Sequence, residues 1–312
     1  MSDWRNSLDD ELAVVFEQAK AIVSAYPEPM DSRGLLYLDK FNPLLPDSTK
    51  NYICYCLPFW SRDITGADVQ TCRRLSLANV FIMLYFFIQD DLMDAPPSDW
   101  KEQLALGNLF YTSFLDLYRA DFDGDSPFWD YFRTYITEWA SAVASEGRAS
   151  GSESDPIRLA RKAGPVKLAS TGALLLTGRA PLIPEVSHLV DQTLITLQMA
   201  DDWVDWEEDL EQGSDNSLLD FIRSELSIPA DELSAAQVSD SLALKGSLER
   251  FAAQAVNRHK DLLALRIKSP DLLAFHESLA QGLLSAAENL KQRKSSLARG
   301  GFLDWLSKSI GN

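Results

Sequence analysis

The sequence predicts an all-α fold. Apolar residues recur at helical spacing in long segments, for example "LDDELAVVFEQAKAIVSAY" near the start and "LLAFHESLAQGLLSAAENLKQR" near the end. No Asn-Gly hairpin and no run of strict apolar–polar alternation predicts a strand. Segments rich in Gly and Pro, such as "YPEPMDSRG" and "TGRAPLIP", separate stretches long enough for helices of several turns. Helices joined by short loops therefore account for the whole pattern.

Length and composition predict one folded domain over residues 1–312. The chain is 46% hydrophobic and 24% charged, which is enough apolar material for a sizeable core. No internal repeat is visible, and no linker is long enough to divide the chain.

The charge balance excludes one class of partner. Lys and Arg total 29 against 46 Asp and Glu, so the net charge is -17. Such a surface repels nucleic acid and anionic membranes alike. A polyanionic small molecule would need metal cations to bring it to the protein.

Several features predict a cytoplasmic protein that does not span a membrane. The three cysteines, Cys54, Cys56 and Cys72, support neither a disulfide framework nor a zinc site. The N-terminal segment carries acidic residues where a signal peptide needs a basic start. The most apolar window, residues 75–88, is short for a bilayer and is interrupted by polar residues, so we expect it to be a buried helix.

A first cluster of aspartates ends this apolar run, at "FFIQDDLMDAPP" (86–97). On a helix, Asp90 and Asp94 lie one turn apart on one face, with Asp91 about 100° round from Asp90. Two carboxylates at this spacing can share a Mg²⁺ ion, which prefers oxygen ligands. Acids in the last turn of a helix otherwise cost several tenths of a kcal/mol each, roughly, against the helix dipole. The pattern favours a cation site, and a solvated acidic helix end is the alternative.

A second cluster repeats the arrangement at "LITLQMADDWVDWEEDLEQGSDN" (194–216). Asp201, Asp205 and Asp209 follow i, i+4, i+8 and occupy one stripe about 80° wide. Two such clusters, each at the end of an apolar helix, predict two facing walls of one cavity, in which cations grip a diphosphate. The candidate catalytic residues are the six acids Asp90, Asp91, Asp94, Asp201, Asp205 and Asp209, and all of them except Asp91 are also candidate metal ligands.

The residues one turn before each cluster predict an apolar depth below the charged rim. Met83, Phe86 and Phe87 lie under Asp90, and Leu194, Leu197 and Gln198 lie under Asp201. Such a pocket suits a ligand with a diphosphate head and a hydrocarbon tail, and aromatic faces can stabilise a carbocation. The alternative is that these are ordinary core residues of a helix bundle.

These motifs resemble the class I isoprenoid synthase superfamily, which includes trans-prenyl diphosphate synthases and terpene cyclases. The resemblance rests on "QDDLMD" (89–94), "QMADDWVD" (198–205) and "KLASTGALLLTG" (167–178). It implies a single-domain class I terpenoid synthase-like helix bundle around a central active-site cavity. It also implies three Mg²⁺ ions, ionisation of an allylic diphosphate and the possibility of a homodimer.

The resemblance also implies individual roles. Asp90 and Asp94 would bind metal from one wall, and the acids of the second cluster from the other. Lys167 and one of three further basic residues would touch the diphosphate. The small residues 169–172 would allow a helix break beside the reacting carbon. The three further candidates are Arg158, Arg161 and Lys162.

Departures from the family pattern decide between its branches. Chain-elongating synthases carry Gly-Gly-Lys-Arg near the N-terminus and Arg-Arg-Gly after the first motif. Here residues 95–106 contain no arginine, and the nearest N-terminal match is "DSRG" (31–34). A site for isopentenyl diphosphate is therefore not expected, which favours cyclisation or elimination over elongation.

The leading hypothesis is a Mg²⁺-dependent terpene synthase, a carbon–oxygen lyase that cyclises a linear C15–C25 prenyl diphosphate, with C20 favoured. The first alternative is a prenyltransferase, either a prenyl diphosphate synthase or a condensing enzyme of the squalene and phytoene type, whose DxxxD spacing both clusters satisfy. The second is a catalytically silent helical protein that binds isoprenoids or partners.

Overall fold

A computed structural model describes residues 7–94, 96–145, 156–229, 232–267 and 269–296. Within these ranges the chain forms helices joined by turns and short irregular segments, and no strand. The all-α fold predicted from helical periodicity is confirmed.

The chain divides into two compact units, each built from separate stretches of sequence. Unit 1 comprises residues 1–140, 161–191 and 266–274, and unit 2 comprises residues 141–160, 192–265 and 275–312. The single domain expected over residues 1–312 stays a prediction.

Unit 1 is built mainly from the N-terminal helices. These are α1 (Asp9–Val23), α2 (Met30–Lys40), α3 (Tyr52–Trp60), α4 (Arg62–Thr65), α5 (Val69–Asp94), α6 (Trp100–Asp121) and most of α7 (Phe128–Ala144). After α8 (Pro156–Lys162), which is divided between the units, come a 3₁₀ turn (Gly164–Lys167), α9 (Leu168–Leu176), a second 3₁₀ turn (Ala180–Leu182) and the start of α10 (Ile183–Gln212).

Helix α5 forms the centre of unit 1. It packs along α6 and also against α1, α3 and α9. The stretch Val69–Met93 is long and apolar enough to cross a membrane by length and composition, yet 61% of its most apolar window is buried inside the protein. Leu75, Phe81 and Leu84 are completely shielded from solvent. This burial agrees with the interpretation of residues 75–88 as a core helix.

Gly34 allows α2 to approach its neighbours closely. A Cβ atom at this position would lie 2.6 Å from Cγ1 of Val23 in α1 and 3.3 Å from Cδ1 of Leu106 in α6. Gly34→Ala should therefore lower the free energy of unfolding by about 1 kcal/mol or more, because overpacking outweighs the gain in helix propensity. Chemical denaturation measures the change.

The matched control for this prediction is Gly282→Ala in α14 (Pro270–Ser296), where nothing lies within 4 Å of the added Cβ. This substitution should raise the free energy of unfolding by up to about 1 kcal/mol, because Ala is the better helix former. Equal effects at the two glycines would contradict the close packing around Gly34.

Helix α9 runs without interruption through the small residues 169–172. The expected helix break is not there, because the change from 3₁₀ to α geometry occurs earlier, between Lys167 and Leu168. A Cβ atom on Gly172 would lie 3.1 Å from Cζ of Phe122 and 3.2 Å from Cδ2 of Leu75. The small residues thus serve close packing of α9 within unit 1.

Unit 2 holds the remainder of α10 and the C-terminal helices. These are α11 (Ser217–Leu226), α12 (Ala235–Leu244), α13 (Ser247–Leu263) and α14 from residue 275 onward. Helices α11, α12 and α13 pack against one another.

A histidine pair, of which His276 is fully buried, joins three helices of unit 2. Nδ1 of His259 lies 3.1 Å from Nδ1 of His276, and Nε2 of His276 lies 2.9 Å from Oγ1 of Thr196. The Thr196 hydroxyl donates to the carbonyl oxygen of Gln192. His276 therefore donates through Nε2 to Thr196 and accepts through Nδ1 from His259, which requires a neutral ring.

This pair predicts a loss of stability in acid. Burial and, to a lesser degree, the charges of His259 and Arg258 together lower the pKa of His276 to about 3. The unfolded chain takes up the proton near pH 6.5, so the contribution is complete above that pH and is lost as the pH falls toward 3. The slope is at most about 1.4 kcal/mol per pH unit.

The free energy of unfolding, measured by denaturation between pH 8 and pH 4, should therefore depend less on pH in His276→Gln than in the wild type. His188 is exposed, so His188→Gln is the matched control and should leave the slope unchanged. Parallel profiles for the wild type and His276→Gln would contradict the assignment of a neutral, buried ring.

Candidate active site

Helix α10 carries the second acidic cluster on its solvent-facing side. Asp201 and Asp205 are exposed, and Asp209 is half-buried. Although Asp201 is exposed as a whole, partial burial of its carboxyl and, to a lesser degree, the charges of Asp202 and Asp205 together raise its pKa to about 6. Lost hydration and the charges of Asp209 and Glu208 also raise the pKa of Asp205. The stripe is an array of carboxylates whose charge is only partly balanced.

Asp202, the second acid of the motif, points away from this stripe. Its residue is 3% exposed, and its carboxylate accepts hydrogen bonds from the backbone N–H of Ser217 at 2.8 Å, from the Ser217 hydroxyl, and from Nε2 of Gln198 at 2.8 Å. Burial raises the pKa of Asp202, and these hydrogen bonds oppose the rise. Asp202 therefore fixes the start of α11 to α10.

The donor set of α10 fits a hard divalent cation in its chemistry. Asp201, Asp205 and Asp209 offer oxygen ligands whose mutual repulsion a cation would relieve. Across the described ranges, however, no group of three or more His, Cys, Asp or Glu side chains is gathered closely enough to hold a metal ion. Three bound Mg²⁺ ions stay a prediction.

The first acidic cluster lies at the end of α5. Asp90 and Asp91 are exposed, and the Tyr37 hydroxyl of α2 donates to Oδ2 of Asp91 at 3.2 Å. Burial raises the pKa of Tyr37, and the charges of Asp91 and Asp90 raise it further. The side chain of Asp94 lies outside the described residues. Asp91 is thus held by a neutral phenol.

The six predicted pocket residues differ in burial. Met83 and Leu194 are 2% exposed, and Phe86, Phe87, Leu197 and Gln198 are half-buried. The ring centroid of Phe86 lies 4.7 Å from that of Trp139 in α7, whereas that of Phe87 lies 5.0 Å from that of Phe41 after α2. Nε2 of Gln198 donates a hydrogen bond to the carboxylate of Asp202. Their role as a hydrocarbon pocket stays a prediction.

Lys167, the first predicted diphosphate ligand, is 4% exposed. Its Nζ lies 2.8 Å from Oδ1 of Asp191 and 4.5 Å from the ring centroid of Tyr135. The Tyr135 hydroxyl in turn hydrogen-bonds Thr171 and Ser187. Lys167 is therefore engaged in a buried polar network of unit 1.

The other predicted basic ligands lie on α8. Nη2 of Arg158 lies 2.8 Å from Oδ2 of Asp215. Asp215 follows the second acidic cluster in the sequence. Arg161 and Lys162 are half-buried in the last turn of the helix. Which of them touches a diphosphate stays a prediction.

The arginine of the "DSRG" segment is held by acids. Nη1 of Arg33 lies 3.1 Å from Oδ2 of Asp99, and Nη2 contacts the carboxylate of Glu102. Both acids follow the first cluster, in the stretch where the resemblance leads one to look for arginines. The guanidinium of Arg33 is therefore paired with two carboxylates.

Sequence reasoning missed the residues that hold the predicted ones. Asp191 is far from Lys167 in sequence, and no local pattern connects them. Asn216 and Ser217 had a signal, because Asn before an apolar helical run is a typical N-cap, but their contacts with Asp209 and Asp202 depend on the fold.

Comparison with solved structures defines the class of fold. The chain shares its all-α fold with solved structures of geranylgeranyl pyrophosphate synthases. It is similar to a geranylgeranyl pyrophosphate synthase, with a TM-score of 0.64 and 16% identity over 89% of this chain and 98% of that one. It is also similar to the geranylgeranyl pyrophosphate synthase from Lactobacillus brevis ATCC 367, with a TM-score of 0.63 and 14% identity over 89% of this chain and 96% of that one. No family model and no curated protein matches the sequence.

Proposed function

We propose that this protein is an enzyme that uses divalent metal, Mg²⁺ by preference, to release diphosphate from a prenyl diphosphate. The observation that carries the proposal is the stripe of Asp201, Asp205 and Asp209 on the open face of α10, within a chain that has an isoprenoid synthase fold. Neighbouring carboxylates repel one another, and a bound cation would relieve that repulsion.

In this proposal the chain's own residues divide the work. When bound, Mg²⁺ neutralises the charge that develops on the leaving diphosphate. Asp201, Asp205 and Asp209 would hold metal on α10. Asp90 and Asp94 are the candidate metal ligands on α5. Apolar and aromatic side chains below each cluster bind the hydrocarbon tail and exclude water from the reacting carbon.

Prenyl transfer is the first candidate for the fate of the carbocation. The two similar structures named above are geranylgeranyl pyrophosphate synthases, which favours the prenyltransferase alternative over the terpene cyclase expected from sequence. At 14–16% identity this supports the class of reaction and leaves the substrate to experiment.

Cyclisation or elimination is the second candidate, and one contact favours it. Elongation needs positive charge to hold a second diphosphate, and Arg33 is already bound by Asp99 and Glu102. A lyase acting on a single C15–C25 prenyl diphosphate needs no such second site.

The deciding experiment incubates purified protein and Mg²⁺ with C10, C15, C20 and C25 prenyl diphosphates, each with and without isopentenyl diphosphate. A longer prenyl diphosphate formed only with isopentenyl diphosphate supports transfer, and a hydrocarbon or terpene alcohol formed without it supports the lyase. Two allylic diphosphates supplied together test condensation of the squalene type. No diphosphate release from any substrate would overturn the proposed function and leave the silent isoprenoid binder.

A further inference from the structure

The turn between α10 and α11 organises the second acidic cluster. Each of the three consecutive residues 215–217 forms an ion pair or a hydrogen bond with the side chain of another residue of unit 2. We call these residues the 215–217 turn. None of them belongs to the acidic stripe or to the predicted diphosphate ligands.

Asn216 holds the last acid of the stripe. Its residue is 1% exposed, and its Nδ2 donates to Oδ2 of Asp209 at 2.7 Å and to the carbonyl oxygen of Asp202 at 2.8 Å. Its Oδ1 accepts from the backbone N–H groups of residues 218 and 219, which caps α11. Both donors and the acceptor of the amide are used, so the direction of the Asp209 carboxylate is fixed by the start of α11.

Asp215 holds a basic side chain in the same way. Its Oδ2 lies 2.8 Å from Nη2 of Arg158, and the two side chains are 21% and 18% exposed. Nη1 of Arg158 also donates to the carbonyl oxygen of Ser145 at 3.5 Å. These two contacts hold the guanidinium of Arg158, on α8, beside the 215–217 turn.

Ser217 fixes the turn itself. Its backbone N–H and its hydroxyl both donate to Oδ2 of the buried Asp202. The turn therefore cannot shift along α10 without leaving a buried carboxylate with fewer partners, which is costly.

We propose that the 215–217 turn is the positioning element of this site, with Asn216 aiming Asp209 at a metal ion and Asp215 aiming Arg158 at the diphosphate. The inference rests on the proposed function. Neither Asn216 nor Asp215 needs to touch the substrate, because partners of metal ligands act by orienting them, and their loss typically weakens metal affinity by about 10–100-fold.

The first test is Asn216→Ser. Serine still caps α11 through its hydroxyl but is too short to reach Asp209 as well. Binding of Mn²⁺ to the full chain, followed by electron paramagnetic resonance of the free ion, should weaken about 10-fold or more. The Mg²⁺ concentration for half-maximal activity should rise in parallel.

Ser234→Ala is the matched control. Ser234 caps α12 in the same unit with a full capping box, and its side chain bonds to Gln237 of the same helix. Its loss should lower the Tm as a lost cap does, and leave Mn²⁺ affinity unchanged. If Asn216→Ser keeps wild-type Mn²⁺ affinity, as Ser234→Ala is expected to, Asn216 is only a cap and the inference fails.

The second test is Asp215→Asn, which keeps the shape of the side chain and removes its charge. Mn²⁺ affinity without diphosphate should stay at the wild-type value, while inhibition by inorganic pyrophosphate should weaken several-fold. In an Arg158→Gln background the same substitution should have no further effect, which a merely structural role would not produce. Additive effects of the two changes would overturn this half of the inference.

The two levels of failure are distinguishable. A wild-type chain that binds no Mn²⁺ and releases no diphosphate overturns the proposed function and this inference together. A wild-type chain that does both, with variants that match it, overturns only the positioning role of the 215–217 turn.

Discussion

Asp201→Asn should slow the release of diphosphate from a prenyl diphosphate by about 100-fold or more, the usual cost of removing one preorganised charge-stabilising group. The physical reason is that Asp201 is the first acid of the carboxylate stripe of α10, where the proposed function places a cation. Single-turnover assays with saturating Mg²⁺ measure the effect. Far-ultraviolet circular dichroism should show unchanged helix content.

The same substitution should stabilise the metal-free protein at pH 7. The pKa of Asp201 is raised to about 6, so its ionised form is less favourable in the folded chain than in the unfolded one. Because the residue is exposed and screened by solvent, the gain should be about 1 kcal/mol or less. Added Mg²⁺ should then raise the Tm of the wild type more than that of the variant.

Glu207→Gln is the control, because it removes one negative charge from the same helix at another exposed position. It should change neither the rate nor the response of the Tm to Mg²⁺ by more than a small amount. If the control slowed the reaction as much as Asp201→Asn, net charge and not a specific ligand would be responsible. A variant Asp201→Asn with wild-type turnover would remove α10 from the catalytic proposal.

The periodicity of the sequence was enough to predict the fold class and the stripe that three acids share on α10. Asp201, Asp205 and Asp209 share a stripe because a helix repeats every 3.6 residues, and that geometry is local. The same count places Asp202 about 100° round, beside Gln198, where burial and the contact with Ser217 follow. Nothing in the spacing of "DDWVD" distinguishes the two aspartates.

Contacts between distant residues were beyond the sequence. Lys167 begins a segment that resembles a diphosphate-binding helix, but its partner Asp191 lies on a different helix, and their meeting depends on how α9 and α10 begin. Likewise, Arg33 carried no visible sign that Asp99 and Glu102 would bind it. Whether a basic side chain binds a ligand or an acid of the protein depends on tertiary packing, which the local sequence does not specify.

Asp191→Asn should lower the free energy of unfolding by about 3 kcal/mol or more, because it leaves the buried ammonium of Lys167 without its counter-charge. Lys167 is 4% exposed, so water cannot replace the lost carboxylate, and the ring of Tyr135 compensates only in part. Urea denaturation measures the loss. The control is the exposed pair of Arg119 and Asp116, whose charged atoms lie 3.7 Å apart.

Asp116→Asn should cost less than about 1 kcal/mol, since exposed ion pairs contribute little. The variant Lys167→Met with Asp191→Asn should recover much of the stability that Asp191→Asn alone loses, because the penalty comes from an unpaired buried charge and not from a missing attraction. A double variant no more stable than Asp191→Asn would contradict that explanation. A large loss of stability in Asp191→Asn would mean that Lys167 can bind a diphosphate only by giving up a stabilising ion pair. A small loss would mean that the pair adds little stability and that Lys167 can leave it at little cost.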